Sequence, residues 1–439
     1  MQRIFVSFTR YGYPEQICGL WRIGVCFYYA AGLFSTFLII FVTAMNKNNI
    51  YLKSKPRYEI LDGLRGVAAM LVVVFHIFEG YASGIEEYVV NHGYLAVDFF
   101  FVLSGFVVGY AYDDRWGSMS VWNFCKRRLV RLHPMVIFGM TLGLFCFYFG
   151  AGDKFPLISE TPWYTVLLMY VLGCLMIPAA PSMDIRGWGE TYSLDGPAWS
   201  LMYEYVANLL YALFIRRLSK IGLAVCVAFF AFLTVNLCLN IDVFGILKPH
   251  DWAAYTVIGG WGLDGVHLFV GATRLLYPFF MGLLLARMNR LISLRGGFWW
   301  CAGLVSLLLA IPHVGTGDTS WLNGLYECFC ILAMFPLIVA IGAGSNITDK
   351  RTAKACKLLG EISYPLYIIH YPLIYLQLSW LQEHENAPLG QHIIIGVGVF
   401  VVSVSIAYAA YKLYDVPVRE WLKNRLFVVS KKNGEQVQP

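Results

Sequence analysis

The chain has 439 residues, of which 58% are hydrophobic and only 14% charged. A soluble domain carries about 25% charged residues, so this chain cannot clothe itself in a water-facing surface, and a soluble globular protein is excluded. The net charge of +6 is spread over short clusters between apolar runs, which points to membrane topology and away from nucleic acid.

Residues 23–45 form a charge-free run long enough to cross a bilayer. A secretory signal has a shorter core and a cleavage site, so an extra retained N-terminal helix is expected here. A polar linker with Lys47, Lys53, Lys55 and Arg57 follows. Residues 1–57 thus precede a membrane domain set at 58–421, with a tail at 422–439.

Ten further spanning candidates lie at 66–81, 92–112, 134–150, 198–215, 221–241, 266–288, 298–311, 322–341, 362–380 and 393–414. The apolar stretch 163–177 is followed by Pro178 and Pro181 and reads as a re-entrant or surface-lying piece. The expected fold is all-α: a polytopic transmembrane helical bundle of about ten core spans plus the N-terminal helix.

Charge orients it. With Arg65 in the cytoplasm, the Lys- and Arg-rich connectors at 126–131, 216–220, 287–295, 350–357 and 419–432 all fall on that side. The acidic connectors fall on the other, and the C-terminus is cytoplasmic. The same alternation puts residue 1 outside, where Arg3, Arg10 and Arg22 run against the rule. The 11 cysteines lie mostly in apolar runs without metal-ligand spacing to histidine, so neither disulfides nor a metal site are expected. There is no internal repeat of the kind that marks many transporters.

Inside the apolar runs polar residues are few: His76, Glu79, Asp98, Ser104, Glu204, Asn208, Arg274 and His370. One alone is most simply an interhelical hydrogen bond, whereas several converging make a site. Arg65 opens a spanning run and His76 lies eleven residues on, about 16 Å along a helix axis. That pairing suits a ligand with an anionic head and a reactive tail.

His76 and Glu79 are three apart and share a helix face. A carboxylate beside an imidazole fixes its tautomer and supports the protonated form that a general base passes through. Asp98 and Glu204 are rival partners, and the sequence leaves the choice among the three open. Ser200 shares a helix face with Glu204. Arg127, Arg128 and Arg131 fit two roles equally, cytoplasmic anchoring charge or a phosphate clamp of guanidinium forks.

Two patterns are set aside. His313 and Asp318 have an acyltransferase-like spacing but fall in a short connector, and the sequon at Asn346 falls on the cytoplasmic side. Gly139 and Gly143 read as a small-residue helix contact.

Five motifs occur in a particular order: Asp62-Gly63-Leu64-Arg65-Gly66 with His76 behind it; the run Asp98 to Phe106 containing Ser104; Arg127-Arg128-Leu129-Val130-Arg131; Trp199-Ser200-Leu201-Met202-Tyr203-Glu204; and Ser363-Tyr364-Pro365-Leu366-Tyr367 followed by His370. In this order the chain resembles the acyltransferase 3 family of integral membrane acyltransferases, which modify bacterial surface glycans and some small molecules. The resemblance implies transfer of an acyl group, usually acetyl, from acyl-CoA (acetyl-CoA) as co-substrate, with no tightly bound cofactor. The acceptor would be a glycan or lipid-linked sugar and the location the bacterial inner membrane.

The resemblance makes Arg65 and His76 an essential pair and maps the family's basic motif onto Arg128 and Arg131. Acyl-CoA is expected at Arg65, Arg127, Arg128 and Arg131, whose guanidinium groups suit its phosphates, and acceptor or structural roles are expected of Asp62, Ser104, Trp199, Ser200, Tyr364 and His370. Glu79 is outside the family pattern and rests on local geometry. Some members add an extracytoplasmic hydrolase-like domain. Its absence from this sequence implies completion by the membrane domain alone or by a separate extracytoplasmic partner. The competing reading is a transporter or flippase of a lipid-linked sugar, with His76 and the buried carboxylates as a proton relay.

Overall fold

The computed structural model describes residues 55, 57–247 and 253–427. The expected helix at 23–45 and most of the tail lie outside the described residues. Among the described residues the chain is helical apart from loops and one isolated β-bridge, Gly152 to Phe155. The protein is an all-α polytopic membrane protein: seven helices are long and apolar enough to cross a bilayer by length and composition. All ten expected spans fall on helices.

In chain order these are α1 (Glu59–Glu79), α2 (Ala96–Tyr112), α3 (Val121–Cys146), α4 (Trp163–Cys174), α5 (Ala198–Leu213) and α6 (Lys220–Cys238). They continue as α7 (Gly265–Met288), α8 (Gly297–Ala310), α9 (Trp321–Phe329), α10 (Phe335–Gly344), α11 (Lys350–Glu383), α12 (Leu389–Ala410) and α13 (Val416–Leu426). A π-helical turn, Cys330–Met334, joins α9 to α10. At 12 residues, α4 rises only about 18 Å, short of the roughly 30 Å hydrocarbon layer. Its Trp163, Tyr164, Leu167 and Leu168 are exposed.

Two helices start earlier than hydropathy suggests. The Ser120 hydroxyl accepts from the Asn123 N–H at 3.2 Å and caps α3, so the whole arginine cluster is helical and Pro134 sits inside the helix. Asp349 caps α11 by accepting from the Thr352 N–H at 2.7 Å, which places Lys350 to Lys357 on its first turns. Hydropathy sees only the apolar part of a helix, while the caps fix where the backbone starts to coil.

Small residues set the closest contacts. At Gly66 a Cβ would lie 2.5 Å from the Leu359 carbonyl oxygen, so α1 and α11 run backbone against backbone. The crossing of α2 and α7 is reciprocal, Gly105 on the Phe279 backbone and Gly282 on that of Val102. Gly139 meets Ile368 of α11, as expected of a small-residue helix contact, and Gly143 meets the Leu194 carbonyl.

The α2–α7 pair also encloses an ion pair, Arg274 Nη2 to Asp98 Oδ2 at 2.7 Å, with both side chains fully buried. Arg274 donates further to the carbonyls of Tyr94 at 2.6 Å and Gly259 at 3.3 Å. The guanidinium thereby anchors the loop before α7. That loop is tied to the one before α5 through the Thr191 N–H, which donates to Trp261 O at 2.8 Å. Gly260, at φ +106°, leaves no room for a Cβ against the Trp199 ring. The two loops together roof the bundle at the end away from Arg65.

Candidate active site

A cavity of about 440 Å³ opens at the Arg65 end between α1, α2, α3, α5 and α11. Seven cationic side chains line it, among them Arg57, Arg65, Arg127, Arg128 and Arg131, against two carboxylates, Asp62 and Glu204. Its wall is where the five motifs meet. Arg65 donates from Nε to Ser363 Oγ and from Nη2 to Asp62 Oδ1, both at 2.9 Å. The first motif is thus clamped to the last, and the guanidinium is held in one plane.

Glu204 accepts from Arg128 Nη2 at 2.7 Å and from the Ser104 hydroxyl at 3.1 Å, which joins three more motifs. Tyr364 donates to Leu132 O at 2.6 Å. Arg131 lines the same cavity, and among the described residues it makes no hydrogen bond or ion pair.

His76 sits further along α1. Its Nδ1 is 2.8 Å from Glu79 Oε2. A carboxylate can only accept, so Nδ1 carries the hydrogen and Nε2 presents its lone pair. The Tyr371 hydroxyl donates to the same carboxylate oxygen at 3.4 Å, and its ring stands edge-on to His76 at 4.7 Å. Of the three carboxylates the sequence offered, Glu79 holds the imidazole. Asp98 is taken by Arg274 and Glu204 by Arg128, and burial or position makes each pair the stronger claim on its carboxylate.

The arginine cavity does not reach His76. Its lining ends at Tyr367 and Ser200, whose hydroxyls share a hydrogen bond at 2.7 Å. The His370 ring lies 5.9 Å from Tyr367 and 5.3 Å from His76. Two rings therefore stand where the sequence suggests a direct run from Arg65 to His76. His370 is fully buried; its Nδ1–H donates to Leu366 O at 3.1 Å, and its Nε2 has no hydrogen-bond partner among the described residues.

The roof carries residues that the sequence reading passed over. Tyr375 donates to Glu190 Oε2, and Arg186 stacks on the Tyr375 ring at 3.7 Å. Neither carboxylate oxygen of buried Asp195 has a hydrogen-bond partner among the described residues. Asp195 stands four residues before Trp199, and Tyr371 adjoins His370; nearness to a motif was the one signal available for either. His313 bonds locally to Gly315 O at 2.8 Å, as a connector residue does.

Burial pushes the Glu190 carboxyl up to about 7 from 4.5, and burial beside Glu190 also raises Asp195 well above the carboxylate range. A carboxyl raised in the fold loses its stabilising protonation as pH climbs past the unfolded value, here between pH 4.5 and 7. Glu190→Gln is therefore expected to gain thermal stability relative to the wild type as pH rises from about 5 to 8. Melting curves of the two proteins across that range check it.

A family model described as an acyltransferase domain matches residues 58–412. Protein 2 in the picA locus of Rhizobium radiobacter is 34% identical over 166 residues, 36% of this chain and 81% of that protein. O-acetyltransferase OatA of Staphylococcus aureus strain NCTC 8325 is 24% identical over 399 residues, 87% of this chain and 60% of its own length. This chain thus spans less than two thirds of OatA. Acyltransferase MdmB of Streptomyces mycarofaciens is 25% identical over 341 residues, 72% of this chain and 79% of that protein. No solved structure matches. With its motifs gathered around one cationic cavity and the family match running over most of its length, the chain belongs to the acyltransferase 3 family of integral membrane acyltransferases.

Proposed function

We propose that this protein moves an acyl group, acetyl in the first instance, from acyl-CoA in the arginine cavity to a hydroxyl of a glycan or lipid-linked sugar. The observation that carries this reading is the charge of that cavity, seven cationic side chains against two carboxylates. Coenzyme A has a phosphate-bearing head on a long thiol arm, and guanidinium forks match phosphate oxygens. The names O-acetyltransferase and acyltransferase borne by two relatives support the reaction class. Acyl-CoA is a co-substrate, and the scheme needs no resident cofactor.

In the proposed step His76 Nε2 takes the proton of the acceptor hydroxyl as its oxygen attacks the thioester carbonyl. The C–S bond breaks, and the departing thiolate recovers the proton. Glu79 keeps Nδ1–H in place and stabilises the imidazolium between these events. In the alternative order Nε2 attacks the thioester carbonyl and expels the thiolate, and the acceptor hydroxyl then takes the acyl group from the imidazole while its proton passes to the thiolate. Tyr367 and His370 must part for the thioester to reach His76.

The distribution of Lys and Arg supports a cytoplasmic arginine cavity, and the bacterial sources of the relatives support an inner-membrane location. Membership of an acyltransferase family favours this chemistry over transport of an intact sugar.

The test uses Arg131, which makes no hydrogen bond or ion pair among the described residues. Arg131→Gln is expected to weaken acetyl-CoA binding about tenfold, the value of one charge-assisted hydrogen bond, without changing the melting temperature. Calorimetric titration of the purified protein with acetyl-CoA measures it, and an unchanged Kd would remove the nucleotide from this cavity.

A further inference from the structure

A second cavity, of about 340 Å³, lies at the opposite ends of α1 and α11, where Gly80, Tyr81, Leu378, Leu381 and Gln382 meet Leu389 and His392 at the start of α12. We propose that it binds a neutral sugar residue, the acceptor of the reaction, and admits that sugar toward His76 from the face opposite the nucleotide. The inference rests on the acyl-transfer reading and adds to it where the acceptor is held.

Position is the first argument. Gly80 is one helical turn beyond His76, about 6 Å along the axis, and directly follows Glu79. His76 and Glu79 keep 18% and 25% of their side-chain surface exposed and line neither the arginine cavity nor the second one, whose nearest lining residue in sequence is Gly80. Ser363 and Tyr364, on the arginine cavity, and Leu378 and Leu381, on the second one, stand at opposite ends of the same helix α11, so along α1 and α11 the dyad lies between the two cavities.

Chemistry is the second. Where the first cavity holds a large cationic excess, the second has one lysine, Lys154, and one carboxylate, Glu385, a balance that gives an anion no hold. Its polar groups are donors and acceptors of modest strength: the Tyr81 hydroxyl, which meets His392 Nδ1 at 3.2 Å, and the Gln382 amide, which donates to Glu385 at 2.9 Å. Tyr81 is 41% exposed. Behind His392 lies Trp380, 5.3 Å away and itself stacked on His384 at 5.0 Å. A half-exposed aromatic wall with a few amide, hydroxyl and imidazole groups suits a sugar, whose ring has apolar C–H faces and a hydroxyl rim.

The probe is methyl β-D-glucopyranoside, observed by saturation-transfer difference NMR on the full-length protein in nanodiscs. The wild type is expected to saturate the sugar ring protons, and Tyr81→Ala or His392→Ala to reduce the signal at least threefold. Arg131→Gln, in the other cavity, should leave it unchanged. No signal from the wild type, or equal signals from the wild type and both second-cavity variants, overturns the proposal. Saturation that depends on Tyr81 in a protein that transfers no acyl group would keep the sugar site and overturn the acyl-transfer reading. Acyl transfer that persists in Tyr81→Ala at low acceptor concentration would do the reverse.

Discussion

Replacing His76 with alanine is expected to lower acyl transfer by about 10²- to 10⁴-fold, the range that a positioned general base supplies. The protein should still fold. His76 is partly exposed, its one side-chain hydrogen bond among the described residues is to Glu79, and Tyr371 keeps its own contact with that carboxylate. Acetate released by mild base from the glycans of expressing cells reads the activity, and thermal unfolding reads the fold. Glu79→Gln should fall between the wild type and His76→Ala, because an amide oxygen can still accept from Nδ1–H but brings no charge to the imidazolium. Equal transfer by the wild type and His76→Ala would remove the imidazole from the chemistry.

Arg274→Leu should produce the largest loss of stability, about 3–5 kcal/mol, because it strands the Asp98 carboxylate in a fully buried site. The guanidinium also holds Tyr94 O and Gly259 O, so the roof loop loses its anchor with the ion pair. The double variant Asp98→Leu, Arg274→Leu should recover part of the loss, since no charge then stays buried without a partner. Expression level and melting temperature of the two variants separate these outcomes. A single variant as stable as the wild type would show that the pair does not hold α2 to α7.

The fold was legible because spanning helices write themselves as long apolar runs, and the alternation of Lys- and Arg-rich connectors was legible with them. Helix starts were not, since the caps at Ser120 and Asp349 precede the apolar part by several residues. For the site, the sequence named the groups and left their partners open. Asp98, Glu204 and Glu79 were equal candidates for His76 because one-dimensional spacing fixes only the i,i+3 neighbour. Arg274 and Arg128 settled the matter by taking the other two. The rings of Tyr367 and His370 between the arginine cavity and His76 depend on how α11 packs, which no local pattern encodes. Asp195, Glu190 and Arg186 lie in a connector, where polar residues are unremarkable until burial reveals them.

The central claim is that a nucleotide held by arginines on one side of the membrane supplies an acyl group to His76, which lies deeper. Sealed membrane vesicles of known orientation, given [14C]acetyl-CoA that cannot cross the bilayer, test it directly. Label should reach base-labile ester only in vesicles that expose the Arg65 end to the nucleotide, and it should disappear with His76→Ala. Label incorporated equally in both orientations, or undiminished without the imidazole, would contradict the account.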